Sequence, residues 1–237
     1  MGTPTPAERI FCAIDTPDRN QAIELASALK GAVGGFKLGK EFFTANGPDG
    51  VAEIAELGQR IFLDLKFHDI PNTVAGAVKA VMKLNCYMLT VHASGGRSMI
   101  RAAAEATSEE TLPLIMAVTV LTSLNTKDLI EIGQKTPVED QVLKLGKIAH
   151  ESGANGLIAS PKELKALRAA LGPKCLLTVP GIRPLWASSN DQKRIMPPLE
   201  AIKAGADFLV IGRPITQAKD PKAAADRISA EIAEGYR

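Results

Sequence analysis

Residues 10–17 read IFCAIDTP, a run of apolar residues that ends in an aspartate, a threonine and a proline. The run has the length and composition of a buried strand. An open, doubly wound sheet that binds a dinucleotide carries a Gly-x-Gly-x-x-Gly turn directly after its first strand. No such turn follows Asp15. This stretch therefore favours a barrel over the open sheet, which is the alternative architecture.

Outward from this run, short apolar stretches alternate with amphipathic segments, a pattern typical of strand-helix units on a parallel sheet. The apolar stretches predict eight strands: Ile10–Ile14, Gly35–Leu38, Ile61–Leu65, Tyr87–His92, Leu112–Val118, Gly156–Ala159, Leu176–Val179 and Phe208–Ile211. The amphipathic segments predict eight helices: Asn20–Leu29, Asp49–Leu57, Thr73–Leu84, Ser98–Ala106, Val138–Ser152, Pro161–Leu171, Pro198–Ala204 and Pro221–Glu234. Eight units of roughly 30 residues match a single-domain (β/α)8 TIM barrel that covers residues 1–237.

The composition narrows the class of ligand. The chain has 237 residues, of which 46% are apolar, and a net charge of +2. This charge is too small for the broad basic field that nucleic acids or anionic membranes require, so a small-molecule ligand is expected. No apolar run reaches the ~18–20 residues of a membrane span, and the first residues lack a secretory signal, so a cytoplasmic protein is expected.

The three cysteines, Cys12, Cys86 and Cys175, are widely spaced in the sequence. They form no Cys-x-x-Cys pair and no cluster with histidine, which argues against a disulfide framework and against a zinc site. We therefore expect reduced, buried thiols and no metal site.

Charged residues stand where the first three predicted strands end, the position at which barrels build their active sites. They are Asp15, Lys37, Asp64, Lys66 and Asp69. Strand alternation puts Asp64 and Lys66 on the same face, and the inner face of a barrel is otherwise apolar. One interpretation is a structural ion pair. With Lys37 and Asp69 nearby, the alternating charges favour a protonated Lys66 that acts as a general acid toward an anionic substrate.

Two glycine-arginine pairs follow the last two predicted strands. Gly181 and Arg183 come after strand seven, and Gly212 and Arg213 come after strand eight. Loops after strands seven and eight commonly bind phosphate in barrels, where glycine admits the ligand to the backbone and arginine offers a bidentate fork. The alternative is a pair of turn glycines and two surface arginines. Together the pairs predict a phosphate monoester ligand, and the long irregular stretch 181–196 is a candidate lid.

The remaining polar residues carry weaker signals. His92 ends strand four and either touches a ligand or serves as a structural histidine, while His68 is assigned to packing or an interface. Thr119 and Thr122 follow strand five and either bind a ring or satisfy backbone groups. Trp186 is interpreted as an anchor of the candidate lid.

The stretch DLKFHDIPNT, residues 64–73, resembles the DxKxxDIPxT signature of the orotidine 5′-monophosphate decarboxylase family. Further segments resemble the bacterial form in the expected order: AID at Asp15, FKLG at Lys37, VHASGG at His92, AVTVLTS at Thr122, PGIRP with DQKR, and GADFLVIGRPIT. The resemblance covers nearly the whole chain. It implies a carboxy-lyase that converts orotidine 5′-monophosphate to uridine 5′-monophosphate in pyrimidine biosynthesis without a cofactor or a metal.

The resemblance also implies a role for each matching residue. Asp15 holds the ribose, and Lys37 contacts the ribose and the charged network. Asp64 lies beside the substrate carboxylate, and Lys66 donates the proton that replaces it. The other implied substrate contacts are Thr122 at the pyrimidine ring, and Arg183, Gln192, Gly212 and Arg213 at the phosphate and the closing loop. A homodimer is implied, in which Asp69, Ile70 and Thr73 reach the neighbouring active site.

Three alternatives remain open at this point. A magnesium-dependent 3-keto-L-gulonate 6-phosphate decarboxylase would place an acidic metal ligand near the end of strand two, where this chain has Lys37. A Schiff-base aldolase needs Lys66 as a neutral amine, whereas neighbouring carboxylates favour the ammonium form. A non-catalytic sugar-phosphate-binding barrel would keep Gly212 and Arg213 but has no need of the charged set.

Overall fold

Eight parallel strands pair in sequence order and close into a barrel in the computed structural model, which describes residues 4–107, 112–187 and 196–235. The strands are β1 Ile10–Ile14, β2 Gly35–Gly39, β3 Arg60–Phe67, β4 Met88–His92, β5 Leu114–Val118, β6 Gly156–Ile158, β7 Leu176–Val179 and β8 Phe208–Ile211. Cys12 of β1 lies opposite Phe36 of β2 on one side and Ile211 of β8 on the other. The predicted (β/α)8 barrel is confirmed, and the open sheet is excluded.

Helices follow the strands and surround the barrel. They are α1 Arg19–Ala28, α2 Lys40–Ala55, α3 Pro71–Met82, α4 Gly96–Glu105, α5 Thr126–Glu131, α6 Val138–Glu151, α7 Leu164–Leu171, α8 Pro198–Lys203, α9 Arg213–Thr216 and α10 Pro221–Glu234. Side chains cap several N-termini: Asp18 accepts from the Gln21 amide, and Asp220 accepts from the Ala223 amide. Such bonds satisfy amides that have no partner inside the helix.

The main differences from the predicted elements concern α2, β3 and two short helices. The predicted helix over 49–57 is only the second half of α2, which begins at Lys40 and is kinked at Gly47, where φ is 63° and Pro48 follows. The prediction stopped at this glycine-proline pair because proline disrupts helix interiors. Strand β3 continues to Phe67, two residues beyond the predicted end. The short helices α5 and α9 were not predicted.

An arginine and aromatic rings close the amino end of the barrel. The Arg60 guanidinium lies 4.7 Å from the ring centroid of Tyr87, 5.6 Å from that of Phe11 and 6.0 Å from that of Phe208. Its N–H groups donate to the carbonyls of Glu8 and Gly34. The guanidinium therefore keeps its hydrogen bonds while it stacks on the rings at the amino end of the barrel.

Most of the remaining interior is apolar. The barrel lumen is filled by an inner cluster of buried side chains, namely Phe11, Ala13, Phe62, Met88, Met116, Phe208 and Val210. A Cβ atom on Gly35 would lie 2.6 Å from the Phe11 ring, so glycine at this position makes room for the phenylalanine. Cys12, Cys86 and Cys175 are buried free thiols, as predicted. Within the described ranges no helix combines the length and apolarity needed to cross a membrane.

Candidate active site

Four of the five predicted charges meet at the carboxyl ends of β1, β2 and β3. The Lys37 Nζ lies 3.0 Å from Asp15 Oδ1 and 3.8 Å from Asp64 Oδ2. The Lys66 Nζ lies 2.8 Å from both carboxylate oxygens of Asp64. The parallel register accounts for this meeting, because it sets Lys37 level with Ala13 on one side and Phe62 on the other. Asp15 and Asp64 come two residues after these neighbours, so the Lys37 side chain reaches a carboxylate on each side. The two lysines therefore flank one carboxylate.

The pair formed by Lys37 and Asp15 depends on the absence of a neighbouring side chain. A Cβ on Gly39 would lie 3.2 Å from the Lys37 Nζ and 3.5 Å from Asp15 Oδ1. Such a contact is tight for a charged group that also needs its hydrogen bonds. Glycine at position 39 keeps this space open.

The Asp64 carboxylate is held in its ionised form. Burial by itself raises the pKa of Asp64, but the positive charges of Lys37 and Lys66 and hydrogen bonds from Lys66 and Thr90 outweigh burial, so the pKa lies below its usual value. A buried carboxylate that stays ionised is a fixed negative charge next to the Lys66 ammonium. The arrangement can place charge of both signs against a substrate.

The Lys66 backbone adopts an unusual conformation. Its φ angle is 54°, in the left-handed region that non-glycine residues seldom occupy. The pairing of β3 with β4 is irregular at this point, between Leu63 and Phe67. Strain of this kind persists where surrounding contacts impose it and is concentrated at functional sites. The regular alternation expected for residues 64 and 66 is therefore replaced by a local distortion that still brings their side chains together.

Two adjoining cavities of about 200 Å³ each open above this charged network. The first, the apolar compartment, has the charged groups on one wall and is lined by Lys37, Phe62, Asp64, Lys66, Val118, Val120, Leu121, Thr122, Ile158, Ala159, Pro180 and Val210. Its size suits a single planar ring. Sequence analysis identified Thr122 as a candidate here but missed the apolar wall, since such residues look like ordinary core.

The second cavity, the glycine-arginine compartment, is lined by the two predicted phosphate loops. Its lining is Ala13, Asp15, Lys37, Pro180, Gly181, Ile182, Arg183, Val210, Gly212, Arg213 and Pro214. It shares Lys37, Pro180 and Val210 with the apolar compartment, so the two are continuous. A wider groove of about 710 Å³ next to α1 and α9 touches it at Asp15 and Arg213. An elongated ligand with a ring at one end and an anion at the other fits this shape.

The candidate lid begins from a fixed base. Ile182 and Met196 form a parallel bridge, and the Arg183 amide donates to the Met196 carbonyl at 3.0 Å. Trp186 stacks with Arg227 of α10, the guanidinium lying 4.6 Å from the ring, which agrees with its predicted anchoring role. Gln192 and the rest of residues 188–195 lie outside the described residues.

Three predicted residues lie outside both compartments in the single chain. Asp69, Ile70 and Thr73 are exposed, and Ile70 is 66% exposed although it is a large apolar residue. The Asp69 carboxylate accepts the Ile70 amide at 2.6 Å and, among the residues that the structure describes, forms no ion pair with Lys37 or Lys66. One chain by itself therefore does not bring Asp69 into the charged network.

Two histidines contact each other beside the network. The His92 ring centroid lies 5.3 Å from that of His68. Burial, followed by the charges of His68, Lys66 and Lys40, lowers the pKa of His92 to about 4, against a smaller opposing effect of Asp64. His92 is therefore neutral at physiological pH. It does not line either compartment, so its geometry favours the structural interpretation over a ligand contact.

We expect the free energy of unfolding to decrease as the pH falls from about 6.5, the usual pKa of histidine, toward 4. In this interval the unfolded chain binds a proton at His92 that the folded chain does not, so acid favours unfolding. Above the interval the contribution of His92 is fully present. Urea unfolding at a series of pH values, on the parent and on His92→Gln, measures it. An equally steep pH dependence in His92→Gln would contradict this assignment.

The other polar residues have structural partners. The Thr119 hydroxyl donates to the Ile158 carbonyl at 3.1 Å, so it satisfies a backbone group, whereas Thr122 lines the apolar compartment.

Across residues 4–107, 112–187 and 196–235, no three His, Cys, Asp or Glu side chains are grouped as metal ligands.

Sequence analysis missed one polar residue of the network. Thr90 lies on β4, fully buried, and its hydroxyl bonds to both Asp64 and the Lys66 amide. A signal for it was present, because alternation along β4 turns Met88, Thr90 and His92 toward the same side, and a lone threonine on an apolar wall needs a partner.

The fold and this pocket define a class of protein, a (β/α)8 barrel with paired lysines and aspartates at the carboxyl ends of its strands. Comparison with known proteins gives the family. The family model described as Orotidine 5'-phosphate decarboxylase / HUMPS family matches residues 8–228, and the chain belongs to this family.

Curated relatives and a solved structure agree. The chain is 52% identical over 229 residues to the Orotidine 5'-phosphate decarboxylase of Paramagnetospirillum magneticum, covering 94% of this chain and 97% of that protein. It is 52% identical over 230 residues to the protein of the same name from Rhodospirillum rubrum, covering 94% and 93%. The crystal structure of the Lactobacillus acidophilus Orotidine 5'-phosphate decarboxylase superposes with a TM-score of 0.83 at 38% identity, covering 94% and 98%. The name is that of a carboxy-lyase, the predicted enzyme class.

Proposed function

We propose that the protein decarboxylates orotidine 5′-monophosphate to uridine 5′-monophosphate, a step of pyrimidine biosynthesis, and that it needs neither a cofactor nor a metal. The observation that carries this proposal is the placement of Lys37, Asp64 and Lys66 on one wall of an apolar, ring-sized compartment. The adjoining glycine-arginine compartment supplies groups suited to a phosphate. Membership of the family and the names of the relatives support the same reaction.

In the proposed reaction, the bond between C6 of the pyrimidine ring and the carboxylate carbon breaks. CO2 leaves, and the electron pair of the bond stays on C6. No carbonyl adjacent to C6 can take up this charge, so the site has to stabilise it electrostatically. The Lys66 ammonium, held 2.8 Å from Asp64, supplies a fixed positive charge and then donates a proton to C6. Solvent returns the proton to Lys66, so each turnover consumes one proton.

The ionised Asp64 has a separate part in this proposal. It lies against the substrate carboxylate, and repulsion between the two anions destabilises the bound substrate until CO2 departs. The lowered pKa of Asp64 supports this role, because a protonated acid would exert no such repulsion.

The remaining substrate contacts follow the two compartments. Asp15 and Lys37, paired at 3.0 Å between the compartments, hold the ribose hydroxyls. Thr122 faces the pyrimidine ring in the apolar compartment. The phosphate contacts are assigned to Arg183, Gln192, Gly212 and Arg213. The phosphate lies far from the bond that breaks, and the binding energy of its contacts then serves to hold the ring in place.

We further propose a homodimer in which Asp69, Ile70 and Thr73 complete the active site of the neighbouring subunit. In this assembly the interface would cover the Ile70 side chain, which is exposed in the single chain. The Asp69 carboxylate lies outside the network of its own chain, which agrees with a role in the other subunit. We also propose that residues 1–237 form one catalytic domain and that the enzyme acts in the cytoplasm.

The test is the ultraviolet absorbance change of orotidine 5′-monophosphate on addition of purified protein in excess chelator. We expect conversion to uridine 5′-monophosphate that the chelator does not inhibit. Failure of folded protein to convert the nucleotide would overturn the proposal. In that case, release of CO2 from 3-keto-L-gulonate 6-phosphate with added magnesium would favour the related decarboxylase, and binding without turnover a sugar-phosphate-binding barrel.

A further inference from the structure

Thr90 forms hydrogen bonds with both Lys66 and Asp64, the two charged residues at the centre of the site. Its side chain is fully buried on β4. Its Oγ1 lies 2.8 Å from the Lys66 backbone nitrogen and 2.9 Å from Asp64 Oδ1. An amide can only donate, so the hydroxyl accepts from Lys66 and its single proton is left to donate to the carboxylate. The direction of both hydrogen bonds is therefore fixed.

The first of these bonds replaces a missing backbone partner. Between the pairs Leu63–Leu89 and Phe67–Val91, β3 advances four residues while β4 advances two, so β3 bulges there. Thr90 lies opposite the bulge. Its hydroxyl accepts the hydrogen bond of the Lys66 amide, which a carbonyl of the neighbouring strand would accept in a regular ladder. A buried amide needs such an acceptor. The Thr90 hydroxyl thus supports the conformation that aims the Lys66 side chain at Asp64.

The second bond orients the carboxylate. The Asp64 carboxylate accepts hydrogen bonds from the Lys66 ammonium on both oxygens and from the Thr90 hydroxyl on Oδ1. The Lys37 Nζ lies 3.8 Å from Oδ2. With three groups around it, the plane of the carboxylate has little freedom to rotate. Donation from the Thr90 hydroxyl favours the ionised form and helps to lower the pKa of Asp64.

We propose that Thr90 is a positioning residue of the active site, whose hydroxyl couples the left-handed backbone of Lys66 to the carboxylate of Asp64 and so sets the ammonium-carboxylate geometry. The proposal rests on the proposed function for its kinetic consequence. The geometric part of the proposal is independent of the proposed function, because it can be measured in the protein without substrate.

The test compares variants that differ in the hydroxyl. Thr90→Val removes it at nearly constant shape, and Thr90→Ser keeps it. Thr178→Val is the matched control, because Thr178 is also a fully buried strand threonine, and its hydroxyl makes no hydrogen bond with any part of the chain that the structure describes. If Thr90→Val does not fold, Thr90→Ala removes the same hydroxyl without placing a second methyl group beside the carboxylate.

Two readouts separate positioning from a purely structural role. We expect kcat of Thr90→Val to fall about 10- to 100-fold, in the range of misplaced catalytic groups, with KM changed less than about threefold. We expect the pKa of Asp64, measured by carbon-13 NMR of its carboxyl, to rise in Thr90→Val. Thr90→Ser and Thr178→Val should stay close to the parent in both measurements.

Parent-like kcat and an unchanged Asp64 pKa in folded Thr90→Val would overturn the proposal and leave Thr90 as a structural residue. Loss of kcat to the same extent in Thr178→Val would also overturn it, since any buried threonine would then matter equally. If the parent itself does not convert orotidine 5′-monophosphate, the proposed function fails, and the NMR titration still decides the role of Thr90.

Discussion

Lys66→Ala is expected to reduce turnover of orotidine 5′-monophosphate by about 10⁴-fold or more. The substitution removes the proposed proton donor, a contribution of ~10²–10⁴. It also removes the positive charge that, in the proposed reaction, stabilises the developing carbanion, which adds ~10²–10³. The structure supports both effects, because the Lys66 Nζ is fixed 2.8 Å from Asp64 on the wall of the apolar compartment.

Binding of the product should survive the same substitution. The proposed phosphate and ribose contacts lie in the adjoining compartment, so the Kd of uridine 5′-monophosphate for Lys66→Ala, measured by calorimetry, should remain within about tenfold of the parent. Lys79→Ala, an exposed lysine on α3, is the matched control and should retain full turnover. Substantial turnover by Lys66→Ala would refute the role assigned to Lys66.

Co-expression of Lys66→Ala with Asp69→Asn is expected to restore activity that neither variant has alone. In a homodimer whose sites are completed across the interface, the mixed dimer holds one site with an intact Lys66 from one chain and an intact Asp69 from the other. Random pairing of equal amounts makes half of the dimers mixed, so about a quarter of the parental activity per chain should return.

An active site built within one chain gives a different result in the same experiment. If Asp69 acts within its own chain, every site in the mixed dimer lacks either Lys66 or Asp69, and no activity returns. The double variant Lys66→Ala/Asp69→Asn, co-expressed with Lys66→Ala, is the control that should stay inactive under either geometry. Sedimentation equilibrium of the parent checks the dimer itself, and a monomer at assay concentration would contradict the arrangement.

The barrel could be predicted from the sequence because its determinants are local and repeated. Each strand is a short apolar run between polar segments, and eight runs in 237 residues leave few architectures. The misplaced boundaries have equally local causes. Gly47 and Pro48 read as a helix end, whereas the chain bends there and continues, because the helix segments on both sides pack on the barrel.

The site could be predicted in part. Alternation placed Asp64 and Lys66 on one face, and the structure brings them together, but through a left-handed Lys66 that no sequence pattern signals. In that conformation the Lys66 amide donates to the Thr90 hydroxyl of the next strand, a contact between residues 24 positions apart. Asp69 lies outside the network of its own chain, and in the proposed dimer the site that it would complete belongs to the second chain.

The packing of Arg60 with its aromatic neighbours at the amino end of the barrel affects how substrate would reach the site and how product would leave it. Arg60 and these rings pack at the amino end of the barrel, whereas both compartments lie at the carboxyl ends of the strands. In the proposed reaction, the nucleotide would therefore enter, and CO2 and product would leave, at the carboxyl end. The product would have to leave the same compartments before the next substrate could bind. Under the proposed function, product release, rather than the breaking of the bond, can therefore limit the rate of turnover.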